Sequence, residues 1–445
     1  MRLGCVTLIC IVLCIALLCG PLAFAAGDEV VVAATPSARL QSTENWNDEP
    51  AGAVARGVND FAFRLSAELA GMAGDENFIC SPYSVWIPLA ALANATGDAH
   101  KADLLAAIGA AGMAEADINR AASRMLYDLT RQRDRALARE YGEEYYHDPL
   151  KIANAIFVDY KVTLRQDFAQ MFADFYRGSA MGVDFSLPSA VDAVNRWASE
   201  NTEGLIADLI QKFSPDTVLA IANAIYFSDR WSWQFAPEET ATGAFRLPGG
   251  DETIDAFFML REGEKLDYYE DDLVQAMPLN FLTGGAMYIL LPKDMSATEL
   301  LISMEHTYFE QIARGADERP GRLLLPRFSI EGEIIELKDA LQMLGVPLFD
   351  DVTAPLTGRL IEEGYPMWVS SALHKAVIEV DEQGTTAAAV TVMMMEAGSA
   401  PPEEVEAPPP FEMICDKPFI FVLCGRTVDG GRQVLFTGVV NRPQE

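Results

Sequence analysis

Histidine is the side chain best suited to proton exchange near neutral pH, and the sequence has four: His100, His147, His306 and His374. The first three lie among charged residues and are predicted to be solvated. His374 opens the apolar stretch His-Lys-Ala-Val-Ile-Glu-Val, and a lone histidine entering a strand is usually a hydrogen-bonded core residue. The sequence has no Gly-x-Ser-x-Gly, His-Glu-x-x-His, phosphate-binding loop or dinucleotide-binding glycine motif. It therefore predicts no catalytic triad and no enzyme.

The cysteines give no pattern of a metal site. Four of the seven lie in the first 25 residues, which leaves Cys80, Cys415 and Cys424. Three cysteines without a Cys-x-x-Cys pair or clustered histidines cannot form a disulfide framework or a tetrahedral zinc site. They are predicted to be small buried hydrophobic residues, and a bridge between Cys415 and Cys424 is left open. No metal and no cofactor is expected.

The formal net charge is -32, and acidic chains do not neutralise phosphates. Nucleic acid is therefore excluded as a partner, and an anionic membrane surface is disfavoured. One basic cluster could bind a polyanion, although a solvated helix face is the simpler interpretation. Its members are Arg131, Arg133, Arg135 and Arg139.

The N-terminus has the three parts of a secretory signal. Arg2 precedes the mostly apolar run Val6–Leu18, and Ala23-Phe-Ala25 fits the small-x-small rule of a cleavage site. We predict a signal peptide at 1–25, a mature chain that starts near Ala26, and an extracellular location. The alternatives are a retained membrane anchor or a lipid on Cys19. No later stretch is long and apolar enough to span a bilayer.

Residues 26–55 are rich in proline, serine and asparagine with little periodicity, so they are predicted to be a flexible tether. The folded domain is predicted at 56–445. Apolar residues recur at helical spacing early in this domain, as in Phe61, Leu65 and Leu69. Strand patterns dominate later, at Val218–Phe227, Ala286–Leu291, Arg322–Leu325, Val377–Val380, Phe419–Leu423 and Val434–Val440. Helices first and strands later predict an α+β fold.

An uncharged segment near the carboxyl end is unusual for a loop. Gly384–Met395 is rich in small and β-branched residues, and the proline-rich segments Gly398–Glu404 and Ala407–Pro410 follow it. One interpretation is a permanently buried strand followed by a proline-rich link. The other is an exposed strand without a partner, whose small side chains allow it to enter between two strands of an existing sheet. The segment alone leaves both open.

Nine segments of the sequence match, in order, the motifs of one known protein family. The longest, His374–Thr391, is similar to the serpin hinge, normally written HKA-x-IEV-x-E-x-G-T-x-AAAAT. The other motifs follow the family's order: Asn77 with Ser81–Ser84, Val194–Trp197 with Thr202–Ile206, Asn223–Phe227 with Trp231, Leu325–Phe328, Leu344–Val346, Leu356–Gly358, Asp416–Phe419 and Phe436–Asn441. Together they extend from about Val58 to Pro443.

The resemblance implies a serpin fold of three β-sheets and eight or nine helices, with an exposed reactive centre loop at about 382–410. It assigns eight residues to the hinge: Glu382, Gly384, Thr385, Thr386, Ala387, Ala388, Ala389 and Val390. The sequence departs from the family at Thr386, where glutamate is usual, and at Val390, where a smaller residue is commoner. The resemblance also assigns Ser81, Ser84, Asn223 and His374 to the family's shutter and Trp231 to its breach. Ordinary core packing would account for these five residues as well.

The resemblance further implies a monomer that inhibits a target protease as a suicide substrate. The protease cleaves the loop, forms an acyl-enzyme and is trapped covalently when the loop inserts into the central sheet. The family's spacing from the hinge glutamate selects the Gly398-Ser399 bond, with Glu396 or Ala397 as neighbouring alternatives. Between Lys375 and Lys417 there is no lysine or arginine, which disfavours trypsin-like proteases. Elastase-like, subtilisin-like or papain-like targets are expected; a non-inhibitory serpin-fold binding protein or chaperone is the alternative.

Overall fold

The computed structural model describes residues 31–32, 34, 49–130, 149–385 and 409–444, except 203, 205, 215, 354, 364–366 and 428–429. The described residues form nine α-helices and eighteen β-strands, which confirms the predicted α+β class. The helices are α1 Glu49–Ala73, α2 Pro82–Ala93, α3 Asp98–Ala107, α4 Glu115–Leu129, α5 Gln166–Tyr176, α6 Pro188–Asn201, α7 Ala297–Ser303, α8 His306–Gly315 and α9 Lys338–Met343. The strands are β1 Val31–Val32, β2 Phe78–Cys80, β3 Leu150–Asp159, β4 Ser179–Val183, β5 Leu219–Phe227, β6 Asp229–Arg230, β7 Ala241–Arg246, β8 Thr253–Glu270, β9 Val274–Asn280, β10 Ala286–Pro292, β11 Asp317–Pro326, β12 Phe328–Glu331, β13 Ile335–Glu336, β14 Ser371–Val380, β15 Gly384–Thr385, β16 Phe411–Ile414, β17 Phe419–Arg426 and β18 Arg432–Val440.

The main sheet has the strand order β1-β4-β3-β5-β14-β15-β6, and β12 and β13 also pair with β14. Strand β5 pairs antiparallel with β3 and parallel with β14. Helix α6 covers one face of this sheet and α2 packs on the other. Because both faces are covered, the central strands are nearly continuous apolar runs, as the sequence of β5 predicts.

The remaining strands form a second network with the order β16-β11-β8-β9-β10-β17-β18-β2, and β7 also pairs with β8. Strand β8 is 18 residues long. Most of its length pairs with β7 and β11, whereas its last two residues, Tyr269 and Glu270, pair with β9. The second and third sheets that the resemblance implies are therefore continuous through β8.

Helix α2 lies between the main sheet and β18, and all twelve of its residues are buried. Pro82 occupies its first turn, where the missing backbone N–H removes no helical hydrogen bond. Ser81 precedes the helix and Ser84 lies in its first turn, so both point from the start of α2 into the core. This fixed helix start positions two of the predicted site residues.

The structure differs from the predicted tether, 26–55, in two places. Helix α1 begins at Glu49, because the helical spacing of buried residues extends upstream of Phe61 to Val58 and Val54. Farther upstream, the two residues of β1 pair with the edge of the main sheet. A strand of two residues is too short to produce a period in the sequence.

His306 also differs from its prediction, because it is 9% exposed rather than solvated. It begins α8 and stacks on Phe63 of α1, with ring centroids 6.4 Å apart. Its Nδ1 lies 3.2 Å from an Asp60 carboxylate oxygen. The neighbouring charged residues in the sequence therefore do not indicate exposure here, since α1 covers the ring.

Candidate functional site

Four residues that the sequence assigns to one site do meet beneath the main sheet. His374 of β14 lies directly opposite Asn223 of β5 in the parallel register. Both side chains point towards the start of α2, where Ser81 and Ser84 lie. All four are buried, with exposures of 0% or 1%. We call these four residues together with Asn154 of β3, which faces Asn223 across the antiparallel pair, the shutter cluster.

The hydrogen bonds of the shutter cluster fix the protonation of His374. Its Nε2 accepts a hydrogen bond from the Ser81 backbone N–H at 3.0 Å, so Nδ1 carries the proton and donates to Asn223 Oδ1 at 2.9 Å. Ser84 Oγ donates to the same oxygen at 2.5 Å. Asn223 Nδ2 donates to the Ser84 carbonyl at 2.8 Å and to Asn154 Oδ1 at 2.7 Å. Both ring nitrogens of His374 are engaged, so its role is structural: it joins α2 to the β5–β14 seam.

His374 is expected to make stability depend on pH in the acid range. Burial lowers the pKa of its imidazole from 6.5 to about 4. Between these pKa values the unfolded chain binds a proton that the folded chain does not, so the free energy of unfolding falls as pH falls from 6.5 towards 4. The contribution of His374 is fully present above pH 6.5. From pH 7 to pH 5 this group should lower the free energy of unfolding by about 2 kcal/mol. Urea denaturation at both pH values measures the loss. His374→Gln cannot titrate and should lose less; equal losses would contradict the assignment.

Trp231 directly follows β6 and contacts the segment that leads into the predicted loop. Its ring is 1% exposed and stacks on Phe281 with centroids 4.5 Å apart. Its indole N–H donates to the Asp381 carbonyl at 2.9 Å, and its backbone N–H donates to the Gln383 carbonyl at 2.9 Å. The residue assigned to the breach therefore holds the chain just before and just within the hinge.

Glu382, the first residue of the predicted hinge, is buried and forms an ion pair with the half-buried Arg327. Its carboxylate oxygens accept hydrogen bonds from Arg327 Nε at 2.8 and 2.9 Å, and Thr240 Oγ1 donates to it at 2.5 Å. Burial favours the neutral acid, but the bonds from Arg327 and Thr240 outweigh burial and lower the pKa of the Glu382 carboxyl. The start of the predicted hinge is thus held by Thr240, which precedes β7, and by Arg327, which lies between β11 and β12.

Glu382→Ala is expected to lower the free energy of unfolding by about 1–3 kcal/mol, since Arg327 and Thr240 lose a common buried acceptor. Glu379→Ala is the matched control, because Glu379 is an exposed glutamate on β14. Its loss should stay within about 0.5 kcal/mol. Urea titration at neutral pH compares the two, and equal effects would show that the ion pair contributes nothing.

Gly384 and Thr385 form β15 and are already part of the main sheet. Thr385 lies opposite Val380 of β14 on one side and Asp229 of β6 on the other. Its side chain has no exposed surface, and its Oγ1 accepts a hydrogen bond from the Asp229 backbone N–H at 3.1 Å. A Cβ atom on Gly384 would lie 2.1 Å from the Asp229 carbonyl oxygen, so this close approach requires glycine.

The remaining predicted residues of the loop lie outside the described residues. They are Thr386, Ala387, Ala388, Ala389, Val390, Gly398 and Ser399. The signal peptide at 1–25 and the arginine cluster at 131–139 lie outside them as well.

The structure also assigns contacts to residues that the sequence analysis left without a role. Arg327 lies within the motif Leu325–Phe328. A basic residue in that motif was the one sign in the sequence that Arg327 has a specific contact. Asn154 and Thr240 gave no signal, because each is an ordinary polar residue in or beside a strand. Their roles depend on partners far away in the sequence.

The three described cysteines are free and buried, which answers the open question about Cys415 and Cys424. Burial raises the pKa of the Cys80 thiol to about 12 and raises the pKa of the other two thiols further. Within the described residues, no group of histidine, cysteine, aspartate and glutamate side chains is arranged to hold a metal ion. Within the same residues, no helix has the length and apolar content that a bilayer crossing requires.

Comparison with known proteins agrees with this geometry. A family model described as Serpin (serine protease inhibitor) matches residues 56–443. Alpha-1-antiproteinase S of Cavia porcellus is 27% identical over 399 residues, covering 88% of this chain and 91% of that protein. Corticosteroid-binding globulin of Oryctolagus cuniculus is 27% identical over 330 residues, covering 73% and 82%. Human glycosylated kallistatin has a crystal structure that matches with a TM-score of 0.74 at 21% identity, covering 89% of this chain and 100% of that one. The chain therefore belongs to the serpin family.

Proposed function

We propose that this serpin is a suicide-substrate inhibitor of a protease. The observation that carries the proposal is the pairing of Gly384 and Thr385 between β14 and β6. Strand β6 continues β5 after a single residue, so β15 already lies between β14 and the continuation of β5. A loop that continued β15 in the same direction would run along the seam between β5 and β14.

Sheet topology supports insertion as an energetically favourable step. Strands β5 and β14 now share one parallel ladder, and β15 runs antiparallel to β14. A loop that continues β15 down the seam would be antiparallel to both neighbours. One parallel ladder would then be replaced by two antiparallel ladders, which hold more hydrogen bonds in total. Cleavage would release the loop for this step and carry the attached protease along.

The composition of the loop supports its entry into the sheet. Side chains alternate between faces along a strand, so Ala387, Ala389 and Thr391 would follow Thr385 onto its buried face. None of these residues carries a charge that would have to be desolvated. The bonds of the shutter cluster between β5 and β14 would break during insertion, so they set part of the barrier.

We propose Gly398-Ser399 as the cleaved bond. No basic residue lies between Lys375 and Lys417, so a protease with an acidic specificity pocket has no side chain to bind there. Small or apolar neighbours favour an elastase-like or subtilisin-like serine protease, or a papain-like cysteine protease. Export of the protein after cleavage of residues 1–25 is part of the same proposal, because such proteases act outside cells as well.

Incubation with elastase, subtilisin, papain and trypsin tests the proposal. We expect a covalent complex that survives SDS with at least one of the first three and none with trypsin. Mass spectrometry of the released carboxyl-terminal fragment should give Ser399 as its first residue. A complex with trypsin alone would overturn the target class, and cleavage without any complex would overturn inhibition.

A non-inhibitory binding protein is the second candidate, since corticosteroid-binding globulin is among the relatives. Thermal unfolding before and after loop cleavage separates the two. An inhibitor whose loop inserts gains a complete set of strand hydrogen bonds, so its melting temperature should rise strongly after cleavage. A binding protein that does not insert its loop should melt at the same temperature before and after.

A further inference from the structure

Strand β4 would be an edge strand of the main sheet without β1, and its own sequence lacks the usual protection against pairing with another chain. Its sequence, Ser179-Ala-Met-Gly-Val183, contains no charged residue and no proline. The free N–H and C=O groups of an edge strand can bind a further strand. Natural edge strands therefore commonly carry a lysine, a proline or a bulge that prevents such pairing. Strand β4 pairs with β3 along one side in an uninterrupted parallel register from Ser179 to Val183. Its other side therefore requires a different form of protection.

Only the backbone edge of β4 remains to be protected, since side chains of the domain already cover both faces. Met181 and Val183 are 5% exposed and belong to the core under α6, with Trp197. Ala180 is 2% exposed and belongs to the larger core on the opposite face. A strand that added here would gain main-chain hydrogen bonds beside an already formed apolar layer.

The N-terminal segment supplies such a strand. Val31 lies opposite Gly182 and Val32 lies opposite Met181 in antiparallel register. Ala34 is half-buried and packs against the larger core, so the chain also contacts the domain two residues after the strand. Valine is among the strongest strand formers. Val30–Val32 is the only run of three β-branched residues between residues 26 and 48. These residues lie upstream of 56–443, the part that matches the family.

We propose that β1 is a covering strand that prevents the edge of β4 from pairing with a second copy of this chain. Without it, two molecules could join their main sheets edge to edge through β4. The covering strand acts within its own molecule, so its local concentration exceeds that of any second copy. The proposal does not depend on inhibition, since it concerns the edge of the sheet and not the loop.

Two chains that both start after the predicted signal peptide test the proposal. One starts at residue 26 and the other at residue 35, so that they differ by β1 and its flanks. Sedimentation velocity over a range of concentrations measures association. We expect the longer chain to be monomeric and the shorter chain to form dimers or larger species as its concentration rises. A synthetic peptide of residues 26–36, added in excess to the shorter chain, should restore the monomer.

A pair of double variants in the chain from residue 26 provides the matched control. Val31→Pro with Val32→Pro removes both backbone N–H groups and should promote association. Val31→Thr with Val32→Thr keeps those groups and the β-branched shape, and should remain monomeric. The variants also keep the proposal testable if the shorter chain fails to fold.

Hydrogen exchange of the β4 amides gives an independent measurement. At a concentration low enough for the shorter chain to be monomeric, exchange at Met181 or Gly182, whichever amide faces β1, should be at least ~10-fold faster in the shorter chain. Equal exchange in both chains would overturn the proposal, and so would a lack of protection in the chain from residue 26. Faster exchange in a chain that stays monomeric at every soluble concentration would overturn it as well, since the edge would then be open without pairing.

Discussion

Thr385→Arg is expected to convert the proposed inhibitor into a substrate. The Thr385 side chain has no exposed surface between β14 and β6, so an arginine must either bury its charge or withdraw the hinge from the sheet. An unpaired buried charge costs about 3–5 kcal/mol. A cost of that size in the transition state for insertion would slow insertion more than ~100-fold. Water would then hydrolyse the acyl-enzyme before the protease is trapped.

The stoichiometry of inhibition and the yield of SDS-stable complex measure this change. Thr385→Ser is the matched control, because its hydroxyl can still accept the hydrogen bond from Asp229. The serine variant should inhibit nearly as well as the parent, whereas the arginine variant should be cleaved with little or no complex. The target protease should be elastase or subtilisin, so that the new arginine does not create a trypsin site. An arginine variant with the parent's complex yield would disprove insertion at this position.

Asn223→Ala is expected to lower the free energy of unfolding by about 3 kcal/mol or more, a larger loss than Glu382→Ala or Asn154→Ala should cause. The change removes the acceptor of His374 Nδ1–H and the donor to the Ser84 carbonyl and to Asn154 Oδ1, whereas the Ser84 hydroxyl keeps the Ser81 carbonyl as an acceptor. Each polar group left unpaired in the core costs about 1–3 kcal/mol. Because the shutter cluster joins α2, β3, β5 and β14, the loss should weaken the seam itself. Urea denaturation at neutral pH measures it.

Asn154→Ala is the matched control for Asn223→Ala, since both are buried asparagines on neighbouring strands. Of the cluster's bonds, Asn154 takes part only in the one that its Oδ1 accepts from Asn223. Its replacement should cost about 1 kcal/mol. If the two variants lost equal stability, the cluster would not be centred on Asn223.

The fold could be predicted where the sequence has both a local pattern and a family motif. Strand β5 has a long apolar run within Val218–Phe227, and β17 and β18 contain the predicted strands Phe419–Leu423 and Val434–Val440. His374 was correctly assigned to the core, because an apolar strand follows it. These features depend on neighbours in the chain, so periodicity is enough to find them.

The site could be predicted less completely, since its contacts join distant parts of the chain. Glu382 and Arg327 are 55 residues apart, and no local pattern pairs them. The bond between His374 and Asn223 depends on the register of two parallel strands, which side-chain alternation alone does not fix. Val31–Val32 was missed for a different reason: a two-residue strand acquires its structure from the edge it covers.

The burial of the cysteines makes the protein suited to fluorescence labelling. A chain that starts at residue 26 contains only Cys80, Cys415 and Cys424, all buried and with raised thiol pKa values. The thiolate is the nucleophile that attacks a labelling reagent, so these three buried thiols should stay unreacted in the folded protein at neutral pH. A single new cysteine on the exposed surface of β14, at Glu379, would then carry a dye alone. Its emission could report, in real time, the movement of the strand beside which the loop is proposed to enter.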